Sequence, residues 1–219
     1  VSKLLPYNVR KCVVSRNIVL HPIREEQINE RYLSWLNDKE RNKYLEIRYF
    51  DHTIERVVEY INMLRRTPGC ELLSVCTKLD QIHVGNLSIS SYNPNSQGYV
   101  HFGIFIGDTR ATQMGVGAEV HIAALELFFS DVSINRVDAN MIDANIIAKK
   151  TVESIGYVSE GIIRQGSVLP DGEICNILRY GMLRQEWIER KNKFEKIIQA
   201  IEINEIGERL LSGNSVTGF

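Results

Sequence analysis

The chain has 219 residues and 25.1 kDa, with 44% hydrophobic residues, 26 Lys+Arg against 27 Asp+Glu and a formal net charge of −1. This composition excludes a disordered chain and gives no global attraction to nucleic acid or to an anionic membrane. By size scaling, a chain of this mass buries about 70% of its unfolded surface, enough for a core without disulfides or metal. No apolar run reaches the ~20 residues that a bilayer span needs. Polar Asn8, Arg10 and Lys11 follow the first residues, so no signal-peptide core is visible. Cys12, Cys70, Cys76 and Cys175 are scattered without a Cys-x-x-Cys pair, the pattern of reduced core thiols and not of a zinc site. The expectation is a cytoplasmic protein with no metal, no nucleic-acid partner and no membrane partner.

Residues 18–22 predict a first strand. Ile28, Tyr32, Trp35 and Leu36 recur at helical spacing up to Asn37-Asp38, and Ile54, Val57, Val58, Ile61 and Leu64 form the stripe of a second helix from about Thr53. Thr67-Pro68-Gly69 stops it. Segments 71–77 and 82–91 predict a hairpin across Lys78–Gln81; Asn93 to Gly98 predicts a turn, and 99–106 another strand. A loop at 107–114 leads into a helix over about 115–130, then a strand at about 134–142 and a helix opening at Asn145. Strands at 157–165 and 173–183 flank a Pro170-Asp171-Gly172 turn. Over 184–203, Trp187, Lys191, Phe194, Ile198 and Ile201 predict one amphipathic helix, packed on its own domain or at a subunit interface. The last dozen residues read as a frayed tail. The order is mixed α/β, with too many hairpin-linked strands for a doubly wound parallel sheet.

The chemistry concentrates around Gly115-Val116-Gly117-Ala118-Glu119, where a strand and loop feed a helix. Glycines at a helix start let unpaired backbone N–H groups approach an anion, and the helix dipole favours negative charge there. Phosphate is the obvious anion; a flexible turn is the plain alternative. Val120 in the third glycine position rules out a dinucleotide fingerprint, and no Gly-Lys-Ser/Thr marks a P-loop. Some 30 residues on, Asp143-Ala144-Asn145 opens a short helix that closes on Gly156-Tyr157.

With these motifs the chain resembles the GNAT superfamily of acyl-CoA-dependent N-acetyltransferases over roughly residues 16–186. It is most similar to the branch that holds the ribosomal-protein N-terminal acetyltransferases. Phe102–Gly107, Gly115–Glu119, Asn145 and Gly156-Tyr157 carry the resemblance, with Leu20–Ile23 and Tyr32–Asp38. It implies a central, mostly antiparallel mixed sheet whose central strands splay, flanked by helices. Residues 1–15 would be an N-terminal extension, and 187–219 a helix and tail. Acetyl-CoA would lie in the splay between 99–106 and 134–142, as co-substrate and without a metal. Its pyrophosphate would sit on the amides of Met114, Gly115, Val116, Gly117, Ala118 and Glu119, and its pantetheine along Ile104, Phe105 and Ile106. A backbone N–H near Ile104–Phe105 would stabilise the oxyanion, and Asn145 would hold pantetheine or the thioester. A primary amine, on a small molecule or a peptide, would attack directly. The alternative is an inactive acyl-CoA-binding module of the same fold. A homodimer fits either.

Three departures from the family pattern bear on catalysis. Thr112 stands where the family places Arg or Gln, passing the phosphate contact to Arg110 or Gln113. Ala148 replaces the Ser of many relatives, which can act as general acid, and Ser167 replaces a Glu base. The base candidates are therefore His101, otherwise a sheet histidine, and Glu46, otherwise a solvated helix end or an Arg48 ion pair. Glu160 reads as structural, His83 as a strand residue and His121 as a solvent-facing helix residue. Trp35, Tyr44, Arg48 and Ser167 are the candidate acceptor contacts, suited to a sugar, nucleobase or peptide.

Overall fold

The computed structural model describes residues 4–5, 9–90 and 98–206. Among them, nine strands make one sheet: β1 (Lys11–Val14), β2 (Ile18–Pro22), β3 (Glu71–Thr77), β4 (His83–Ser90), β5 (Tyr99–Ile106), β6 (Arg136–Ile142), β7 (Val158–Val168), β8 (Ile174–Leu183) and β9 (Glu202–Glu205). Their spatial order is β7-β8-β6-β5-β4-β3-β2-β1-β9. Among the described residues every neighbouring pair is antiparallel except β5–β6. Helices α1 (Glu30–Leu36), α2 (Lys39–Asn42), α3 (Ile54–Arg66), α4 (Thr109–Gln113), α5 (Val116–Phe129), α6 (Ile146–Ile155), α7 (Arg184–Arg190) and α8 (Glu195–Ile198) flank it. The expected mixed, mostly antiparallel sheet between helices is the architecture found.

Hydrophobic patterning explains the layers. All five residues of β2 and six of seven in β3 are buried, because helices cover both faces. On one face Leu20, Leu73, Val75 and Leu87 pack with Val120, Ala123 and Leu127 of α5. On the other, Cys70 and Leu72 meet Trp35 of α1 and Val57 and Ile61 of α3. Local caps set the helix limits. The Thr53 hydroxyl accepts from Arg56 N, and α6 ends on Gly156 at φ 104°, a left-handed closure that suits glycine.

The C-terminal segment departs from its sequence expectation. One helix over 184–203 is replaced by α7, a 3₁₀ turn over 191–194, α8 and then β9, which pairs antiparallel with β1. Ile201 and Ile203 pack on the main core at a period of two, a strand signal that the longer helical pattern conceals. The segment does pack on its own domain: Trp187 is buried and stacks on Phe194. Lys11–Val14 and Glu202–Glu205, on either side of the expected 16–186 domain, belong to the same sheet. The loop expected at 107–114 contains α4, capped by Asp108. Most of the predicted turn at 93–98 and the last dozen residues lie outside the described residues.

Candidate active site

The sheet opens between its two parallel strands. β5 and β6 share only three rungs, Tyr99–Arg136, Val100–Val137 and His101–Asp138, although β5 runs on to Ile106 and β6 to Ile142. Beyond His101 the strands diverge and leave a wedge-shaped cleft. β5 stays paired with β4 from His101 to Ile106, and Gly107 N donates to Val84 O at 3.0 Å. In an antiparallel ladder, successive residues turn their N–H and C=O to opposite neighbours. Phe105 and Gly103 therefore bond to β4, and the amides of Ile104 and Ile106 face the cleft. The side chains alternate as well: Phe102 packs against His121 and Phe128 of α5, so His101, Gly103 and Phe105 face the other way.

At the mouth of the cleft, Gly115 caps α5 in the left-handed region at φ 74°. Met114 N and Gly115 N bond back to Arg110 O and Thr112 O, while Ala118 N and Glu119 N bond to Gly115 O. Among the described residues, the amides of Val116 and Gly117 make no backbone hydrogen bond. A Cβ placed at Gly115 or Gly117 meets nothing within 4 Å, so the space beside both glycines is open. Glu119 plays a different part: its buried carboxylate accepts from Ser15 Oγ, Asn17 N and Asn17 Nδ2 at 2.7–2.8 Å, tying α5 to the β1–β2 turn. Arg110 is largely exposed and pairs with Asp108 at 3.2 Å, holding that carboxyl near 2, well below the usual range. Gln113 is exposed beside it. Asn145 caps α6, with Oδ1 accepting from Ala148 N at 3.1 Å. Met114 and Ile147, both exposed apolar side chains, stand at the starts of α5 and α6.

A strap crosses the opposite side of the sheet. Its near end is fixed at the C-terminus of β5, where Arg41 donates to Gly107 O and the Trp35 indole lies so close to Gly107 that a Cβ would meet it at 2.3 Å. Its far end is fixed on the β7–β8 hairpin. Arg48 is 1% exposed and donates to Tyr49 Oη, Ser167 Oγ and Val168 O at 2.6, 2.8 and 3.2 Å. Tyr44 packs with Ile142, Leu169 and Cys175. Residues 41–49 thus span the gap from the end of β5 to the ends of β6 and β8. Trp35 is enclosed by Tyr32, His83 and the Arg31 guanidinium, and Arg48 and Ser167 bind each other. Of the four expected acceptor contacts, Tyr44 on the strap and Ser167 on β7 are partly exposed, and Ser167 is engaged by Arg48.

The two base candidates sit in unlike surroundings. The Glu46 carboxylate is 82% exposed and 3.9 Å from Arg48, which is the solvated ion-pair arrangement. His101 stands at the vertex, partly buried, and burial lowers its pKa while Asp138 opposes the shift and Arg179 adds to it. The imidazole is thus neutral near pH 7 and able to take a proton. His121 is not solvent-facing as expected: its ring packs between Phe102 and Tyr157, its Nδ1 is buried, and burial lowers its pKa to about 4. His83 is a packed strand residue against Tyr32 and Trp35. All four cysteines are free, and burial pushes the Cys76 thiol up to about 12, an inert core sulfur.

Sequence reasoning missed Asp138, Arg136 and Arg179 around His101. Their signal is cross-strand register, which a single sequence does not display. Among the described residues no group of three or more His, Cys, Asp or Glu could hold a metal ion, and no helix is long and apolar enough to cross a membrane.

With the split strands and the open helix start described, comparison with known proteins agrees with both. The acetyltransferase (GNAT) domain family matches residues 17–158, and the chain belongs to that family. Its members use acetyl-CoA as acyl donor, and the open Gly115–Gly117 bend and the unpaired β5 edge fit that donor. Among solved structures, a GCN5-related N-acetyltransferase from Brucella melitensis superposes with a TM-score of 0.70 at 17% identity, over 85% of each chain. An acetyltransferase (GNAT family) from Bacillus anthracis gives 0.67 at 17% identity, over 80% of this chain and 99% of that one. A spermidine N-acetyltransferase from Vibrio cholerae, solved with CoA and spermine, gives 0.69 at 16% identity, over 78% and 98%. At these identities the likeness is one of fold. No curated protein matches the chain.

Proposed function

We propose that this chain transfers the acetyl group of acetyl-CoA to a primary amine by direct attack. The amine belongs to a protein N-terminus or an amino-sugar nucleotide, as in the ribosomal-protein acetyltransferase-like branch. The observation that carries the reading is the parting of β5 and β6 after His101, with the open amides of Val116 and Gly117 at its mouth. Those two amides would hold the pyrophosphate, with Arg110 or Gln113 beside it. Ile104 and Ile106 would pair with pantetheine as an added strand, and Asn145 would orient the thioester from α6. The Ile104 amide would face the charge that grows on the thioester oxygen. The acceptor would enter beneath the strap, past Tyr44, to the notch that Gly103 leaves between His101 and Phe105. His101, roughly 10 Å along the strand from Ile104, would take the ammonium proton through a short chain of waters. The free amine then forms the C–N bond as the C–S bond breaks, and the second proton of the acylated nitrogen passes to solvent. An alkyl thiol titrates at about 8.5, so the leaving thiolate can take its proton from solvent, and Ala148 in the usual acid position is tolerable.

Thiol release from acetyl-CoA, measured against N-terminal peptides, amino-sugar nucleotides, polyamines and amino acids, tests this reading. Turnover with a peptide or amino-sugar amine supports it. Acetyl-CoA binding with no thiol release from any amine contradicts it and leaves a binding module.

A further inference from the structure

At the vertex of the cleft, four strands place four residues in one row: His101 of β5, Asp138 of β6, Gly181 of β8 and Val158 of β7. Asp138 is 9% exposed. A carboxylate so placed is costly to keep charged unless a cation compensates it. The cation is Arg136, two residues earlier on the same face, whose Nη2 lies 2.6 Å from Asp138 Oδ1, off the hydrogen-bonding line. The same guanidinium crosses β8 to Glu160 on β7, with Nη1 2.5 Å from Oε1 and Nη2 closing the second bond. This crossing needs Gly181. A Cβ there would stand 2.6 Å from Glu160 Oε1 and 2.8 Å from both Arg136 terminal nitrogens.

The result is a braced carboxylate beside the one histidine at the fork. The groups around His101 are Ser90 of β4, which is uncharged, Arg136 and Asp138 of β6, Arg179 of β8 and Glu160 of β7. The hydrogen bond from the Arg136 guanidinium lowers the pKa of Glu160. The His101–Asp138 pair is the last rung before the strands part.

We propose that Asp138 is a positioning residue for the reaction: braced by Arg136 and Glu160 over Gly181, it fixes the orientation of the His101 imidazole at the vertex of the cleft. The inference rests on the reading of His101 as the base. With one ring N–H turned to Asp138, the other nitrogen offers its lone pair to the proton released by the acceptor ammonium. The imidazolium that results stands beside a carboxylate, and it returns the proton to solvent after the acetyl group has moved. Arg179 acts in the opposite sense and keeps the resting ring neutral.

The test follows the His101 ring by NMR titration in the wild-type protein, Asp138→Asn and Arg179→Gln, with kcat and KM measured against pH. Asp138→Asn should move the His101 midpoint and the acidic limb of kcat to lower pH. It should cost about tenfold or more in kcat with acetyl-CoA KM little changed, as expected when a reacting group is misaligned. Arg179→Gln should move the midpoint to higher pH, and Asp138→Glu should recover part of the rate. A structural role alone would not move the two midpoints in opposite directions. A His101 midpoint that stays in place in Asp138→Asn, with kcat retained, overturns the proposal. Loss of the acidic limb in His101→Gln checks the base separately: if that variant turns over normally, the base assignment fails whatever Asp138 does.

Discussion

Exchanging Gly117 for tryptophan separates folding from donor binding. A Cβ at this position meets nothing within 4 Å, so the free protein has room for the new side chain. Gly117 is also the second residue of α5, and replacing a glycine whose conformation other residues can adopt reduces the entropy of the unfolded chain. Thermal stability should therefore hold or rise slightly. The indole, attached beside the Val116 and Gly117 amides, should obstruct a phosphate that approaches them. A hydrogen bond to a charged group contributes about 1.5–3 kcal/mol, so losing two costs about 3–6 kcal/mol. That corresponds to at least about a 100-fold rise in the Kd for acetyl-CoA. Calorimetric titration reads the affinity, and circular dichroism confirms the fold. Gly117→Ala, which adds a single methyl, should show a smaller loss. A folded Gly117→Trp protein that binds acetyl-CoA as tightly as wild type would refute the assignment of these amides.

Three further outcomes follow from the same geometry. Gly103→Val fills the notch between His101 and Phe105, where the nearest atom to a new Cβ is Ser88 Oγ at 3.1 Å. It should raise the KM for the amine while leaving the acetyl-CoA Kd in place, and an unchanged amine KM would move the acceptor route elsewhere. Asn145→Ala removes the N-cap of α6 and should cost about 1 kcal/mol of stability in urea unfolding. A fall in kcat beyond that effect places the carboxamide at the thioester; normal kinetics remove it. The buried histidines set the acid response. His21, His83 and His121 each have a pKa lowered to about 4, chiefly by burial, against about 6.5 in the unfolded chain. As pH falls, the unfolded chain binds protons first, so stability is full above about 6.5 and is lost progressively towards about 4. With all three acting, the slope is up to ~4 kcal/mol per pH unit. Urea unfolding at pH 7.5 and 5 checks this, and equal stabilities would contradict it.

What the sequence disclosed was what is local. Strands β2 to β8 and helices α3, α5 and α6 announce themselves by period and by caps such as Thr53, Asn145 and Gly156. The Gly115–Gly117 bend is visible as a strand-to-helix passage, and its two glycines coincide with the open space found there. The split after His101 became legible only through the family resemblance, because register between β5 and β6 joins residues 37 apart in the chain. The same limit hid β9, because Ile201 just before it also suits the helical stripe that runs up to the strand. It hid the function of Arg48 too. In the sequence it is a candidate acceptor contact or an ion-pair partner of Glu46, yet it pins residues 46–49 to Ser167 and Val168, 119 and 120 residues away. Asp138 looked like any polar residue in a strand until its neighbours across three strands were known.

A crystal structure of the chain bound to acetyl-CoA tests the central claim most directly. The account predicts the pyrophosphate on the Val116 and Gly117 amides, pantetheine beside Ile104 and Ile106, and the thioester directed toward His101. Density for the donor on any other surface, with the gap between β5 and β6 filled by water, would contradict it.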